Sequence, residues 1–225
     1  MRVLSLDSAS TRCSAAVVVD GDVQAARQAE ATQGHAALMP VMVRDVLAEA
    51  GAPATSLDLV AVTVGPGSFT GIRAGLALAH GVALASGIPV VGLTVGEALA
   101  DSLPHLGLRQ LWVAIDSRRQ RIFLERNGVI TAEALDALAA LAALAAPAGK
   151  IALAGGAAAV VAATLAARDF DVMLTDARLP AARHIALVGE RRFRGDLPAL
   201  PAQPIYVDPP EARLPPGGLR PAPAG

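Results

Sequence analysis

The 225-residue chain holds one cysteine, one tryptophan, one tyrosine and four phenylalanines, and Lys150 is the only lysine among its 19 basic residues. One cysteine excludes an intramolecular disulfide framework and any cysteine-based zinc cluster. Cys13 reads as a small strand residue, because no activating base stands beside it in sequence. Charged residues make up 17% and the formal net charge is −1. There is thus no global basic field to drive strong non-specific nucleic-acid binding. The arginine bias reads as genomic rather than functional. The start, MRVLSLDSAS, lacks the long apolar run of a secretory signal. Residues 74–96 carry no formal charge and are long enough in principle to cross a bilayer. His80, Gly81, Gly87 and Pro89 interrupt them, and Gly87-Ile88-Pro89 reads as a helix stop before a strand. A soluble, cytoplasmic protein is expected.

What is present is apolar and small. Apolar residues make up 53%, enough to bury a sizeable core and too many for a wholly disordered chain. Three strands come first, at Val3–Asp7, Cys13–Asp20 and Val23–Glu30, with Asp20-Gly21-Asp22 as a hairpin turn. A helix follows over Gly34–Ala50, then a doubly buried strand at Leu59–Val64. A helix over Thr70–Ser86, a strand at Pro89–Leu93 and a short helix at Gly96–Leu103 complete a βββαβαβα order.

The second half is a shortened echo, which points to duplication of one module. It has strands at Gln110–Asp116 and Arg121–Glu125, then a turn at Gly128. A helix over Ala132–Ala145 follows, then a strand at Ile151–Leu153 and a helix opened by Gly155-Gly156. A strand at Val172–Leu174 and a helix over Pro180–Phe193 end it. The reading gives a first lobe over 1–104, a reduced second lobe over 105–197 and a tail over 198–225. Nine of the 16 prolines lie from Leu197 onward. The end of the tail is expected to be disordered, with only Pro204-Ile205-Tyr206-Val207 suited to dock as an extended segment.

Two stretches carry chemistry. Gly65-Pro66-Gly67-Ser68-Phe69-Thr70-Gly71 joins a buried strand to a helix. Its glycines permit a sharp turn, and Ser68 or Thr70 can cap the helix. A helix start of this kind either binds an anion or is simply a tight, well-capped turn. It is not a P-loop, since no Gly-Lys-Ser/Thr follows. Asp7-Ser8-Ala9-Ser10-Thr11 ends the first strand. It reads either as a holder of magnesium-bound phosphate or as a polar turn. Asp116-Ser117 stands at the matching point of the second lobe, and paired strand-end acids across a cleft are the arrangement of actin-like phosphotransferases. His35, His80, His105 and His184 lack metal-binding spacing, so solvent or capping roles are expected. Gly155-Gly156 fits either a remnant adenosine loop or a plain helix start.

The LDSAS start, VGPGSFTGIRAGLALAHGVA, His35-Ala36-Ala37-Leu38-Met39-Pro40, Glu97-Ala98-Leu99-Ala100, Asp116-Ser117-Arg118-Arg119 and Pro204-Ile205-Tyr206-Val207 together resemble the TsaB (YeaZ) family. The resemblance covers nearly all of residues 1–207. It implies an α/β fold of two tandem actin-like (RNase H-like) lobes, with mixed sheets flanked by helices and the second lobe reduced. It further implies a non-catalytic subunit that activates TsaD in threonylcarbamoylation of adenosine 37 of tRNAs reading ANN codons. TsaE would be the accessory ATPase, a homodimer the form when alone, and tRNA an indirect partner. The alternatives are a metallopeptidase, whose closely spaced ligands and base are missing, and a small-molecule kinase, which needs a fuller second lobe.

Under this resemblance no residue is catalytic and no metal or cofactor is required. Val95 and Leu99 take the positions of a metal-binding histidine pair in TsaD. Asp7, Ser8, Gly65, Gly67 and Ser68 are the phosphate candidates, implying at most weak binding of ATP or ADP with magnesium at the partner interface. The helices over 34–50 and 70–86 carry more apolar residues than one buried stripe needs. The surplus either packs helix against helix within the chain or forms an interface. The resemblance favours an interface at Leu38, Met39, Met42, Leu76, Ala79 and Val82. Arg118, Arg119 and Arg121, and Arg191, Arg192 and Arg194, form two basic clusters. They read as solvated turn and helix-end residues sooner than as contacts to tRNA phosphate.

Overall fold

A computed structural model describes residues 1–30, 34–103, 105–117, 121–145 and 150–207. Strands β1 (Arg2–Asp7), β2 (Arg12–Val19), β3 (Asp22–Glu30), β4 (Leu59–Thr63) and β5 (Val90–Leu93) form one sheet in the order β3-β2-β1-β4-β5. Strands β6 (Gln110–Asp116), β7 (Ile122–Arg126), β8 (Val129–Glu133), β9 (Lys150–Ala154) and β10 (Asp171–Leu174) form a second sheet in the order β10-β9-β6-β7-β8. The two sheets have one topology. In each, the first three strands pair antiparallel, and the last two add in parallel to the other edge of the first strand. The echo read from the sequence is therefore a repeat of the whole sheet.

Helices α1 (His35–Glu49) and α2 (Phe69–Ser86) cover one face of the first sheet. Leu4, Leu6, Val60 and Val62 point into that core. Val3, Leu59 and Ala61 point to the other face, where α6 (Ala182–Arg194) packs. Burial on both faces is why β1 and β4 read as continuous apolar runs. Ser68 caps α2 by accepting from the Gly71 N–H, and Gly87 ends it with a left-handed backbone, as the sequence predicts. Short helix α3 (Val95–Asp101) begins with a reciprocal capping box between Thr94 and Glu97. In the second lobe α4 spans Leu138–Ala145 and α5 spans Ala158–Ala166.

Three expectations change. The single helix over Ala132–Ala145 is strand β8 followed by the shorter α4. Asn127 and Gly128 both have positive φ, 49° and 76°, which forms a two-residue hairpin turn and brings Val129 opposite Arg126. With β8, the second sheet matches the first in strand number. The second change concerns the lobe boundary, because α6 does not cover the second sheet. It lies on β1, β4 and β5, so close that a Cβ on Gly189 would sit 2.4 Å from the Ala61 Cβ. Residues 182–194 thus complete the first lobe.

The third change is in the tail. The Leu200 carbonyl accepts from the Gly92 N–H of edge strand β5, and the Ile205 N–H donates to the Val64 carbonyl. Docking thus begins before Pro204. The segment satisfies backbone groups that an edge strand otherwise exposes. The remainder of the tail, including the expected disorder, lies outside the described residues. No helix among the described residues is long and apolar enough to cross a membrane.

Candidate functional site

The five phosphate candidates do come together, at the carboxyl ends of β1 and β4. The polar groups of Ser8 and Ser68 are spent on the neighbouring backbone. The Ser68 N–H, at the start of α2, donates to the Ala9 carbonyl at 2.7 Å. The Ser8 hydroxyl donates to the Gly71 carbonyl at 2.8 Å. The glycines make room for this loop rather than for a ligand. A Cβ on Gly67 would lie 2.0 Å from the Ala9 oxygen, one on Gly71 2.0 Å from the Ser8 oxygen, and one on Gly75 2.3 Å from the Ser8 Oγ. Gly65 is pressed by Ile72 and by the Ile205 carbonyl of the tail. The β1–β2 loop is thus seated on the end of α2, where an incoming anion would lie.

Asp7 is fully buried. Its Oδ1 accepts from the Thr63 hydroxyl at 2.6 Å and from the Ala9 N–H at 3.0 Å. Its Oδ2 is buried without a partner among the described residues. Burial raises its pKa above the ordinary carboxylate value, against the hydrogen bonds from Thr63 and Ala9. Magnesium and a nucleotide do not fit this arrangement, because one oxygen is committed and the other is sealed. Asp116, its counterpart, is exposed at the end of β6. Cys13 is buried, and burial together with the Asp7 charge pushes its thiol up to about 11, which leaves it unreactive.

The expected interface residues divide unevenly. Met39, Met42, Leu76 and Ala79 are buried in the first-lobe core, where α1 and α2 pack against each other. These four are corrected: the surplus apolar side chains are absorbed within the chain. Leu38 and Val82 are half-buried at the edge of that core. The outward face of the pair is made by other residues, among them Val41, Phe69, Arg73, Ala77 and Leu84.

Sequence reasoning missed the joint between the lobes. Glu125 on β7 is 6% exposed. It accepts from the Thr94 hydroxyl at 2.5 Å and from the Gly96 N–H at 3.1 Å, both at the start of α3. Gly96 lets the carboxylate come close, since a Cβ there would lie 2.3 Å from it and displace it. Desolvation, with the Glu97 charge adding to it, pushes Glu125 up to about 7 despite the Thr94 and Gly96 bonds. Glu97 in turn pairs with Arg192 of α6, whose guanidinium also donates to the Gly92 and Pro198 carbonyls. An acid directly after the apolar run Ile122–Leu124 was the available signal.

Other expectations are answered plainly. His35 is buried and its Nε2 meets the Ser10 carbonyl, His80 meets the Ala202 carbonyl, and His184 pairs with Asp101. Arg191, Arg192 and Arg194 pair with Asp101, Glu97 and Glu190, so Arg192 in particular is not a solvated residue. Arg118 and Arg119 lie outside the described residues. Val95 and Leu99 are buried aliphatic core. Gly155 is packed tightly on β6, since its Cβ would lie 2.3 Å from the Ala114 oxygen. A cavity of about 460 Å³ lies between the linker and β10, beside Ser102, His105, Leu174 and Asp176, and includes none of the phosphate candidates.

Residues 26–194 match the family described as TsaD, tRNA N6-adenosine threonylcarbamoyltransferase. The chain is 31% identical over 144 residues to the tRNA threonylcarbamoyladenosine biosynthesis protein TsaB of Escherichia coli, a match covering 61% of this chain and 62% of that one. It is 43% identical over 75 residues to the tRNA N6-adenosine threonylcarbamoyltransferase of Ruegeria pomeroyi, covering 32% of this chain and 20% of that one. The match therefore spans less than two thirds of either relative. A solved Pseudomonas aeruginosa structure, described as having similarity to peptidase YeaZ, superposes with a TM-score of 0.72 at 25% identity, over 92% of this chain and 99% of that one. The two-lobed arrangement is that of the actin-like fold.

Proposed function

Because the chain belongs to the TsaD family, on its TsaB/YeaZ branch, we propose that it is the non-catalytic subunit that binds and activates TsaD in threonylcarbamoylation of adenosine 37 of tRNAs reading ANN codons. The seated β1–β2 loop is the observation that carries this reading. Ala9 and Ser8 occupy the start of α2, so the position where this fold would hold a phosphoryl group is used for packing. A chain of this kind contributes surface rather than chemistry. TsaE is the accessory ATPase of the same system, tRNA is met through the complex, and the isolated chain binds ATP or ADP weakly at most.

Reconstitution with TsaD, threonylcarbamoyl-adenylate and unmodified tRNA tests the proposal. Modified nucleoside should form only when the chain is added, and the chain alone should transfer nothing. Equal modification in its absence, or transfer by the chain alone, contradicts the reading. Sub-micromolar ATP affinity of the isolated protein would contradict the nucleotide part.

A further inference from the structure

The second sheet rests on the first lobe through one of its faces. Trp112, Ala114, Ile122 and Leu124 point to the face that α4 and α5 cover. Val113, Ile115 and Phe123 point the other way, into the apolar cluster that holds Val95 and Leu99 of α3, and α3 packs on β6. Alternation along β7 puts Glu125 on this second face with Phe123. Its neighbours on the paired strands are Val113 of β6 and Ile130 of β8. An acid therefore stands in an apolar seam between the lobes. A lone carboxylate in such a place is costly unless it is neutral or paired.

Both hydrogen bonds of Glu125 cross the seam, to the Thr94 hydroxyl and the Gly96 N–H. The charged groups around it are unevenly shared. Glu97, in the same turn of α3, is a second carboxylate, and Arg192 of α6 is bonded to it. Arg192 also donates to the Gly92 and Pro198 carbonyls. Asp101, at the far end of α3, is met by His184 and Arg191 of α6. Among the described residues no cation pairs with Glu125. Helix α3 is thus tied to α6 by charge within the first lobe, and to the second sheet by an acid without a counter-charge. We propose that Glu125 is a proton-operated latch: with its carboxyl protonated the second sheet is held on the start of α3, and with it ionised the two lobes are free to turn against each other. Neutral, the carboxyl keeps its contacts and adds no charge to the seam. Ionised, it places a second negative charge beside Glu97, where the one arginine is already engaged. Desolvation pushes Glu125 up to about 7, which sets the change near neutral pH. The inference goes beyond the proposed function and does not depend on it.

Single-molecule energy transfer in the full chain tests this, with dyes on Gln24→Cys and Val129→Cys, exposed positions on an outer strand of each sheet. Cys13 is buried and stays unlabelled. With Glu125 in place, the distribution should be single and narrow at pH 5.5. At pH 8.5 the share of molecules outside it should rise at least tenfold. Glu125→Gln, which cannot ionise, should stay narrow at both pH values. Gly96→Ala puts a Cβ where the carboxylate lies and should broaden the distribution even at pH 5.5. In the unlabelled wild type, the Gly96 amide resonance should titrate over the same range. A wild-type distribution that does not change with pH overturns the latch. So does a broadening that persists in Glu125→Gln, which would assign it to another group such as His184. If Glu125→Gln does not fold, the Gly96 amide decides, and a resonance that does not titrate overturns the latch.

Discussion

Asp7 and Asp116 end equivalent strands, β1 and β6, in two sheets of the same topology. Asp7 is sealed beneath a loop against which Gly71 and Gly75 of α2, and Gly67 just before that helix, are packed. Asp116 is exposed, and α5 has half the length of α2. Equivalent strands thus end in acids with different surroundings: Asp7 is closed in by packing, and Asp116 is exposed. Topology sets where a loop emerges, while the residues on the adjacent helix set whether the loop is a cradle or a plug.

Glycine substitutions break the comparison most sharply. Gly71→Val would drive a side chain into the Ser8 carbonyl, and backbone cannot yield there as a flexible side chain does. The expected loss in urea unfolding is about 3 kcal/mol or more. Gly156→Ala, at the corresponding turn of the second lobe, meets nothing within 4 Å and should change stability by less than about 0.5 kcal/mol. Equal effects would mean that the first-lobe loop is not tightly seated.

The joint between the lobes responds to pH. Glu125 is shifted from 4.5 to about 7, so the fold prefers its protonated form. That contribution is complete below pH 4.5 and is lost as pH rises through 7. The wild type should lose on the order of 3 kcal/mol across this window from this group. Glu125→Gln keeps an acceptor for the Gly96 N–H and a donor toward Thr94, and should flatten that part of the profile. Denaturation midpoints from pH 5 to pH 8.5 measure it. Parallel profiles for the two proteins would remove Glu125 from the joint.

The smallest effect separates the two acids themselves. Asp7→Asn keeps an acceptor for Thr63 and Ala9 while removing an acid whose charged form burial disfavours. It should raise stability at neutral pH by about 1 kcal/mol. Asp116→Asn lies at an exposed site and should stay within about 0.5 kcal/mol. A large loss in the Asp7 variant would show that its charge is needed in the fold.

The strands that run apolar on both faces and the ends of α2 were legible because periodicity and capping are local. The hairpin at Asn127-Gly128 was less so, since an alanine-rich run hides the change from strand to helix. The site was legible as a cluster but not as a plug. That Ser8 and Ala9 would reach the glycines of α2 depends on contacts more than 55 residues apart in sequence. The apolar surplus of α1 and α2 illustrates the same limit. Hydrophobicity along a helix says how much must be covered, not whether a neighbouring helix or another protein covers it. Glu125 and Arg192 were misjudged for the converse reason: a charge at the end of an apolar run, or one arginine among several on a charged helix, acquires meaning only when its partner arrives from a distant element.

The position of α6 bears on the order in which the protein can be made. Val3, Ala16, Leu59, Ala61 and Leu93 lie beneath Ile185, Ala186 and Val188, and that covering helix is synthesised after both sheets. A nascent first lobe emerging from the ribosome therefore carries an open apolar face until residue 194 is available. Truncation after residue 104 should yield a fragment that aggregates or recruits chaperones, even though it contains every strand of its own sheet. Supplying α6 and the segment through Val207 as a separate peptide should restore its solubility.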